Sequence, residues 1–352
     1  MIQEIHIQGY KTLQDCKLQL GKLNVLIGAT MSGKSNFINA IALVNHLFEN
    51  PTLSPETETA LVQSLSERSS TIRLTFSGIH ERSQFHFTWS FHSHYNTLPS
   101  KRPLSFEGQY WLEGSARSLN VETARQFCPL ILCYTDIHTD SNAPIRQPQK
   151  AAPYQYLKPD GSNLANILLH YFNDDGFRND VKKIMRQLNP DFSNLFVQQV
   201  VGNFINITLK ERHLSRDLYA SDLSDGTLRW LCLCAILLPN SLVPPPTLIC
   251  IDEPELGLYP RTTLQLLSEL IKNKSEESQL VITTHSPEFL NYFCLDDVVV
   301  VSRENGKTAF SRLSSHTELQ EMISRYEFSM SDLWLTGKFE STLSNATPVS
   351  DS

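Results

Sequence analysis

Eight consecutive residues near the N-terminus have the types and spacing of a phosphate-binding loop. They run Gly28, Ala29, Thr30, Met31, Ser32, Gly33, Lys34 and Ser35, and Asn36 follows them. In the pattern G-x-x-x-x-G-K-[ST], backbone N–H groups curl around phosphates, the lysine supplies charge to the β- and γ-phosphates, and the serine binds Mg²⁺. Such a pattern also occurs by chance. Here an apolar strand precedes it and an amphipathic helix follows it, which is the context that the chemistry requires.

Two adjacent acids, Asp252 and Glu253, follow the apolar run at residues 248–251. A buried strand of this kind delivers the acids to the edge of an open α/β sheet, where ligands bind. We expect Asp252 to hold Mg²⁺, directly or through water, and Glu253 to orient or deprotonate an attacking water. Alone, the pair is equally typical of a solvated strand end. The phosphate-binding loop favours the catalytic interpretation.

Two further motifs could contact a γ-phosphate. Ser224, Asp225 and Gly226 stand directly before an apolar helix predicted at residues 228–238, whose N–H groups and hydroxyl could hold an anion. An isolated S-x-G is more often an ordinary helix cap. His285 follows a buried strand predicted at 280–282, where it could touch the γ-phosphate or the attacking water. A capping or core histidine is the alternative.

The order of these motifs resembles that of the ABC-type ATPases. Three runs are similar to the ATPase heads of the RecF/SMC/OLD-like group, of the AAA-family type called AAA_21: L-S-D-G-T-L-R from Leu223, D-E-P-E-L-G-L-Y-P from Asp252 and T-H-S-P-E from Thr284. The segment D-G-S-N-L from Asp160 also resembles that group. The likeness is strong over residues 1–48 and 220–300 and weaker between them.

The resemblance implies that two copies bind ATP and Mg²⁺ between them as an ATP-dependent homodimer. The implied roles are nucleotide binding by Lys34 and Ser35, the signature of the opposing copy for Ser224 and Gly226, the Walker B pair for Asp252 and Glu253, and the switch histidine for His285. Residues 255–258 would form the D-loop at the dimer interface.

Two departures from the family pattern are visible. Thr30 and Met31 stand where an Asn-Gly pair is usual, and Tyr259 stands where a histidine is common. The first is expected to weaken nucleotide affinity or turnover without abolishing binding, because the glycine, lysine and serine that follow are retained. The resemblance does not place a Q-loop glutamine.

The alternation of strands and helices predicts an α/β fold, an ABC-type P-loop ATPase head with a mostly parallel core sheet, an antiparallel β lobe and a helical insert. We expect one head over residues 1–335, with its core from 1–50 and 200–335, an inserted region at about 51–199, and a disordered tail at 336–352. Aromatic residues alternate with histidines from Phe85 to Tyr95. This predicts an antiparallel strand with a solvated histidine face rather than a metal site.

The composition is that of a globular protein, with 41% hydrophobic and 19% charged residues among 352. The net charge of −7 argues against a generally basic nucleic-acid binder. DNA therefore remains a possible ligand only through a local patch, for which Lys101, Arg102, Arg117 and Arg125 are candidates.

Seven scattered cysteines without a C-x-x-C pair predict reduced thiols in a core. With no apolar run of eighteen residues, we expect a cytoplasmic protein without a membrane partner.

Three functions fit these observations. The first is ATP hydrolysis that drives dimer closure, read out by a separate effector protein in DNA repair or bacterial defence. The second is a nucleotide-gated module that binds protein or DNA with negligible turnover. The third, the ATPase subunit of a transporter, is disfavoured by the T-H-S-P-E run. No acidic cluster of the nuclease type follows residue 300, so the effector is expected to be another chain.

Overall fold

The computed structural model describes residues 1–49, 71–80, 83–93, 104–112, 115–119, 130–239, 245–258, 261–326 and 328–339. The chain divides into two compact units. The first comprises Met1–Cys133, Pro246–Glu253 and Ser278–Ser352, and the second comprises Tyr134–Pro245 and Pro254–Glu277. Most of the tail predicted at 336–352 lies outside the described residues.

The described strands are β1 (Ile2–Tyr10), β2 (Leu13–Gln19), β3 (Leu23–Ile27), β4 (Thr71–His80), β5 (Ser83–Ser93), β6 (Leu104–Leu112), β7 (Ser115–Leu119), β8 (Ile131–Tyr134), β9 (Gln149–Lys150), β10 (Phe192–Val200), β11 (Phe204–Glu211), β12 (Leu218–Tyr219), β13 (Leu248–Ile251), β14 (Gln279–Thr284), β15 (Val298–Glu304) and β16 (Lys307–Arg312). The described helices are α1 (Lys34–Glu49), α2 (Leu164–Tyr171), α3 (Asp175–Leu188), α4 (Asp225–Leu237), α5 (Arg261–Ser275), α6 (Pro287–Leu290), α7 (Thr317–Tyr326) and α8 (Met330–Leu335).

The core sheet of the first unit has the strand order β16-β15-β3-β14-β13-β8. The pairs β15–β3, β3–β14 and β14–β13 are parallel, and only β16 among the pairings of known direction runs antiparallel. This confirms the mostly parallel core that the sequence predicts. Strands β3 and β13 are buried at every residue, as expected of strands covered on both faces. Their carboxyl ends therefore meet at one edge of the sheet.

The second sheet of this unit is antiparallel, in the order β2-β1-β4-β5-β6-β7. It confirms the predicted β lobe but also includes β1 and β2, which precede the phosphate-binding loop. Between these two strands the chain reverses at Lys11, which has a φ of 48°. On β5, Phe85, Phe87 and Trp89 are buried and His86 is exposed, which confirms the alternation over those residues. His94 and Tyr95 lie outside the described residues.

One hydrophobic cluster joins both sheets of the first unit to α1. Phe37 and Ile41 of α1, Phe76 of β4 and Val281 of β14 are fully buried members of it. The helix begins at Lys34, within the phosphate-binding loop. Its packing against the two sheets fixes the direction in which its first turn points.

The second unit holds α2 to α5 and a small sheet in which β11 pairs with β9, β10 and β12. The apolar helix predicted at 228–238 is α4. It begins earlier, at Asp225, because Ser224 caps it. The hairpin β10–β11 and helix α3 were not predicted. The proline-containing stretch at 136–160 is mostly irregular, with a short 3-10 turn at Pro144–Arg146.

Five of the described cysteines are buried, and Cys294 is exposed. No disulfide joins the cysteines within the described ranges, so the predicted core thiols are confirmed there. Burial raises the pKa of Cys16 to about 11 and that of Cys234 to about 12. Both are inert thiols at neutral pH. Among the helices of the described residues, none is long and apolar enough to cross a membrane.

Gln279, the first residue of β14 in the core sheet, forms hydrogen bonds with Ile2, the first residue of β1 in the antiparallel sheet. Its Nε2 donates to the Ile2 carbonyl oxygen at 2.8 Å, and its Oε1 accepts from the Ile2 N–H at 2.6 Å.

Gln279→Leu should lower the free energy of unfolding by about 2–4 kcal/mol, because both Ile2 groups lose a buried partner. Chemical denaturation would measure this. The control Gln265→Leu, on the exposed face of α5, should change the free energy of unfolding by less than about 0.5 kcal/mol. Equal losses in the two variants would contradict the stabilising role of the hydrogen bonds between Gln279 and Ile2.

Candidate functional site

The phosphate-binding loop joins the carboxyl end of β3 to α1, and both of its outer glycines are sterically required. A Cβ at Gly28 would lie 2.2 Å from the Val301 carbonyl oxygen. A Cβ at Gly33 would lie 2.2 Å from Thr308 Oγ1, and Gly33 has a φ of 116°. Neither position accepts a side chain without moving backbone or a buried threonine. The loop is therefore held in place by β15 and β16.

Lys34 is folded over the loop that it follows. Its side chain is 3% exposed, and Nζ donates to the carbonyl oxygens of Gly28 at 2.6 Å and Ala29 at 3.1 Å. The buried hydroxyl of Ser32 has no hydrogen-bond partner within the described part of the chain. A charged amine and an unsatisfied hydroxyl thus lie at a helix N-terminus, whose own first N–H groups lack partners within the helix.

A cluster of hydroxyls and one amide supports the loop from behind. Thr308 Oγ1 lies 2.8 Å from the Ser32 carbonyl oxygen and 2.8 Å from Thr12 Oγ1. Asn36 Nδ2 donates to the same Thr12 hydroxyl at 3.0 Å. Residues from β16 and the β1–β2 turn therefore position the loop, and Asn36 acts at its rear.

The unusual pair Thr30 and Met31 forms the exposed tip of the loop. Met31 has a φ of 67° and is 76% exposed. This left-handed conformation costs a side-chain-bearing residue about 1–2 kcal/mol relative to glycine. The position that the family fills with glycine thus retains the backbone conformation that favours glycine.

Asp252 and Glu253 follow β13 at the same edge of the sheet, and one buried hydroxyl joins them. Thr283 Oγ1 of β14 donates to Asp252 Oδ1 and accepts from the Glu253 N–H, the latter at 3.1 Å. Thr283 is fully buried. Glu253 has a φ of 46°, a strained backbone of the kind found at functional sites. Thr283 therefore fixes the orientation of both acids.

His285 lies beside the second acid, with its Nε2 at 3.3 Å from Glu253 Oε1. Burial, followed by the positive charge of Lys34, lowers the pKa of His285, while Glu253 and Asp252 act in the opposite direction. The ring is accordingly neutral at pH 7. The structure thus brings the loop lysine, the two acids and the histidine to one edge of the core sheet.

The predicted S-x-G motif lies in the second unit. Ser224 is the N-cap of α4, and its Oγ accepts from the Thr227 N–H at 3.1 Å. Ser224 and Asp225 are exposed, and a Cβ at Gly226 would lie 3.6 Å from the Gly257 carbonyl oxygen. The helix-cap alternative is thus correct as a description of local structure, and the exposed helix start leaves the binding interpretation open.

The predicted D-loop, residues 255–258, also lies in the second unit. It has Gly257 at a φ of 75° and Leu256 56% exposed. Tyr259, the second departure from the family, lies outside the described residues, as do Lys101, Arg102 and Arg125. The side chain of Arg117 is likewise not described.

Sequence reasoning missed several positioning residues. Thr283 stands in the same T-T-H run as His285, so its place in the motif was a usable signal. Thr12 and Thr308 are 296 residues apart in sequence and contact each other behind the loop. No local pattern indicates this contact. Arg146 lies 79 residues from its partner Asp225, again beyond the reach of a local pattern.

The residues suit a nucleotide and a divalent cation. Lys34, the unpartnered Ser32 hydroxyl and the N-terminus of α1 are suited to polyanionic phosphates. The half-buried Ser35 hydroxyl and the Asp252 carboxylate are oxygen ligands of the kind that Mg²⁺ prefers. Ser35 and Asp252 would hold the ion.

A family model, AAA_21, described as "AAA domain, putative AbiEii toxin, Type IV TA system", matches residues 23–291. A curated protein from Bacillus cereus, described as "Putative ABC transporter ATP-binding protein", is 29% identical over 147 residues. That match covers 40% of this chain and 25% of the Bacillus protein.

Solved structures of SMC heads have the same fold. An SMC head bound to the C-winged helix domain of ScpA matches with a TM-score of 0.62 and 16% identity, covering 89% of this chain and 99% of that one. An SMC head with an extended coiled coil, bound to the C-terminal domain of ScpA from Pyrococcus furiosus, gives 0.61 and 15%, covering 92% and 99%. The SMC head domain from Thermotoga maritima gives 0.51 and 16%, covering 88% and 98%. These matches confirm the ABC-type head fold.

Thr283→Val should lower kcat for ATP by about tenfold to a hundredfold, because a methyl group cannot orient Asp252 and Glu253. The ATP dissociation constant should change little, since the phosphate-binding loop is untouched. Steady-state kinetics and nucleotide titration would measure the two effects. Thr75→Val removes a threonine of β4 whose hydroxyl lies 3.0 Å from that of Thr88, and should leave turnover near wild type. Equal turnover in both variants would remove Thr283 from the site.

Proposed function

The chain belongs to the AAA_21 family and has the fold of an ABC-type P-loop ATPase; from this premise we propose that it binds ATP with Mg²⁺ and hydrolyses ATP between two copies of itself. The observation that carries this proposal is the edge of the core sheet. There a buried threonine orients Asp252 and Glu253, and His285 lies 3.3 Å from Glu253. Such a set of groups is suited to activating water next to a phosphate.

Binding begins at the phosphate-binding loop. Lys34 now bonds two carbonyl oxygens of its own loop. A triphosphate offers it stronger, charged acceptors within the same region. We infer that Lys34 exchanges these bonds for the β- and γ-phosphates, while Ser32 and the first N–H groups of α1 complete the cradle. Mg²⁺, held by Ser35 and Asp252, would neutralise charge on the phosphates.

Glu253 is the proposed general base, which orients the attacking water and accepts its proton. Neutral His285, with a proton on Nε2, can donate to Glu253 or to the γ-phosphate. Burial and the charge of Lys34 lower the pKa of His285 and so favour the neutral ring that this role requires. The left-handed backbone at Glu253 aims the carboxylate from the strand end.

The second copy is proposed to complete the site. Ser224 and Gly226 are accessible at the start of α4, and exposed Leu256 is available for contact with another chain. An exposed helix start with a hydroxyl and backbone N–H groups suits a γ-phosphate. ATP would close such a dimer and ADP would not, because only ATP offers the γ-phosphate.

The readout of this cycle is proposed to be a separate effector, in DNA repair or bacterial defence in the cytoplasm. Two of the similar SMC heads were solved with a ScpA domain bound, so proteins with this fold can carry a partner. DNA remains a second candidate ligand. A nucleotide-gated binding module with negligible turnover is the alternative; ATPase rates measured with and without DNA separate the two.

Glu253→Gln keeps the size and hydrogen bonding of the side chain but cannot accept a proton. It should bind ATP, accumulate as an ATP-bound dimer, and lose about two orders of magnitude or more in turnover. Light scattering and phosphate release would test this. Unchanged turnover in Glu253→Gln would assign the general base to another residue.

Lys34→Ala, by contrast, should lose ATP binding itself, which a fluorescent-nucleotide titration would measure.

A mixture of two inactive variants tests the shared site. Ser224→Arg should bind ATP as a monomer but neither dimerise nor hydrolyse, because the new side chain fills the helix start. Mixed with Lys34→Ala, it should recover part of the activity, since one of the two composite sites then has an intact loop and an intact signature. A phosphate-release assay on the mixture measures the recovery. Full activity from a strictly monomeric wild-type protein would overturn the arrangement.

A further inference from the structure

Arg146 is a nearly buried cation whose guanidinium holds together two segments of the second unit. Its side chain is 8% exposed. Nε donates to the carbonyl oxygens of Thr139 at 2.9 Å and Asp140 at 3.0 Å, both in its own loop. Arg146 ends the short 3-10 turn that follows the strand β8, and neighbouring Ile145 is buried and anchors that turn.

The other end of the guanidinium reaches the chain that leads into α4. Nη1 donates to the carbonyl oxygens of Leu223 at 2.6 Å, Ser221 at 3.3 Å and Ala220 at 3.4 Å. Nη2 pairs with the Asp225 carboxylate in the first turn of the helix. These four partners all lie within four residues of Ser224. One planar group therefore holds the backbone that leads up to Ser224 and the side chain of the residue that follows it.

The pairing with Asp225 also has an electrostatic consequence. The Asp225 side chain is 67% exposed at the N-terminus of α4, where an anion stabilises the helix. The same negative charge would repel a γ-phosphate that approaches the helix start. Bonding to Arg146 neutralises the carboxylate and holds it to one side.

We propose that Arg146 is the positioning residue of the α4 start, setting the backbone that presents Ser224 and Gly226 to the nucleotide of a second copy and neutralising Asp225 there. The inference rests on the proposed function of Ser224 and Gly226. Because loop 135–147 continues directly from core strand β8, Arg146 also ties the chain leaving that strand to the helix start. It does not touch the reacting atoms.

The test compares Arg146→Gln with wild type in three measurements. Monomer affinity for ATP should stay within about twofold, because the phosphate-binding loop lies in the other unit. Turnover should fall about tenfold to a hundredfold. ATP-dependent dimerisation, followed by light scattering in the Glu253→Gln background, should need more ATP. Arg178→Gln is the matched control: Arg178 also bonds a carbonyl oxygen, of Phe172, and a carboxylate, of Asp175, but at the start of α3. It should behave like wild type.

Two further variants separate positioning from folding. Arg146→Lys keeps a charge near Asp225 but cannot bond several carbonyl groups in a fixed fork, so it should remain folded and show an intermediate loss. Adding Asp225→Asn to Arg146→Gln should recover part of the ATP-dependent dimerisation, because the unpaired negative charge is removed. A purely structural arginine would not give this recovery.

The outcomes also distinguish the inference from the proposal on which it rests. If Ser224→Arg blocks dimerisation while Arg146→Gln and Arg146→Lys dimerise and turn over normally, the positioning role of Arg146 is overturned and the shared site stands. If Ser224→Arg itself dimerises and hydrolyses ATP normally, the proposed function of this helix start fails. A loss in both Arg146 variants, with recovery by Asp225→Asn, supports the inference.

Discussion

The candidate site depends on a steric constraint at the two outer glycines of the phosphate-binding loop. Val301 of β15 and Thr308 of β16 approach the loop so closely that a Cβ at Gly28 or Gly33 would lie 2.2 Å from an oxygen atom. The backbone of the loop thereby lies in close contact with β15 and with the edge strand β16. A loop with its path fixed in this way presents its N–H groups without further ordering, and a preorganised cradle binds an anion at lower entropic cost.

The loop also depends on strand β16 of the core sheet and on the β1–β2 turn of the antiparallel sheet. Thr308 and Thr12 share a hydrogen bond and hold the Ser32 carbonyl and the Asn36 amide behind the loop. On the other side, Thr283 performs the matching task for the two acids. Buried hydroxyls thus position charged groups while adding no charge that would compete for phosphate or cation.

The motif-bearing elements could be predicted from sequence because each is local: an apolar strand, then a loop or acid pair, then a helix. The parallel core, the antiparallel lobe and the family are confirmed, while the roles of Lys34, Glu253 and Ser224 stay predictions. Strand β2 was not predicted, because only a two-residue turn separates it from β1. The contacts of Thr12 and Arg146 were beyond reach, since spacing along the chain carries no information about partners tens to hundreds of residues away.

The division into units follows the carboxyl ends of two core strands. The chain leaves the first unit after Cys133, at the end of β8, and again after Glu253, just beyond β13. The first exit leads into the loop of Arg146, and the second leads into residues 255–258. Glu253 therefore combines three properties: a left-handed backbone, a bond to Thr283 and the last position before the second unit.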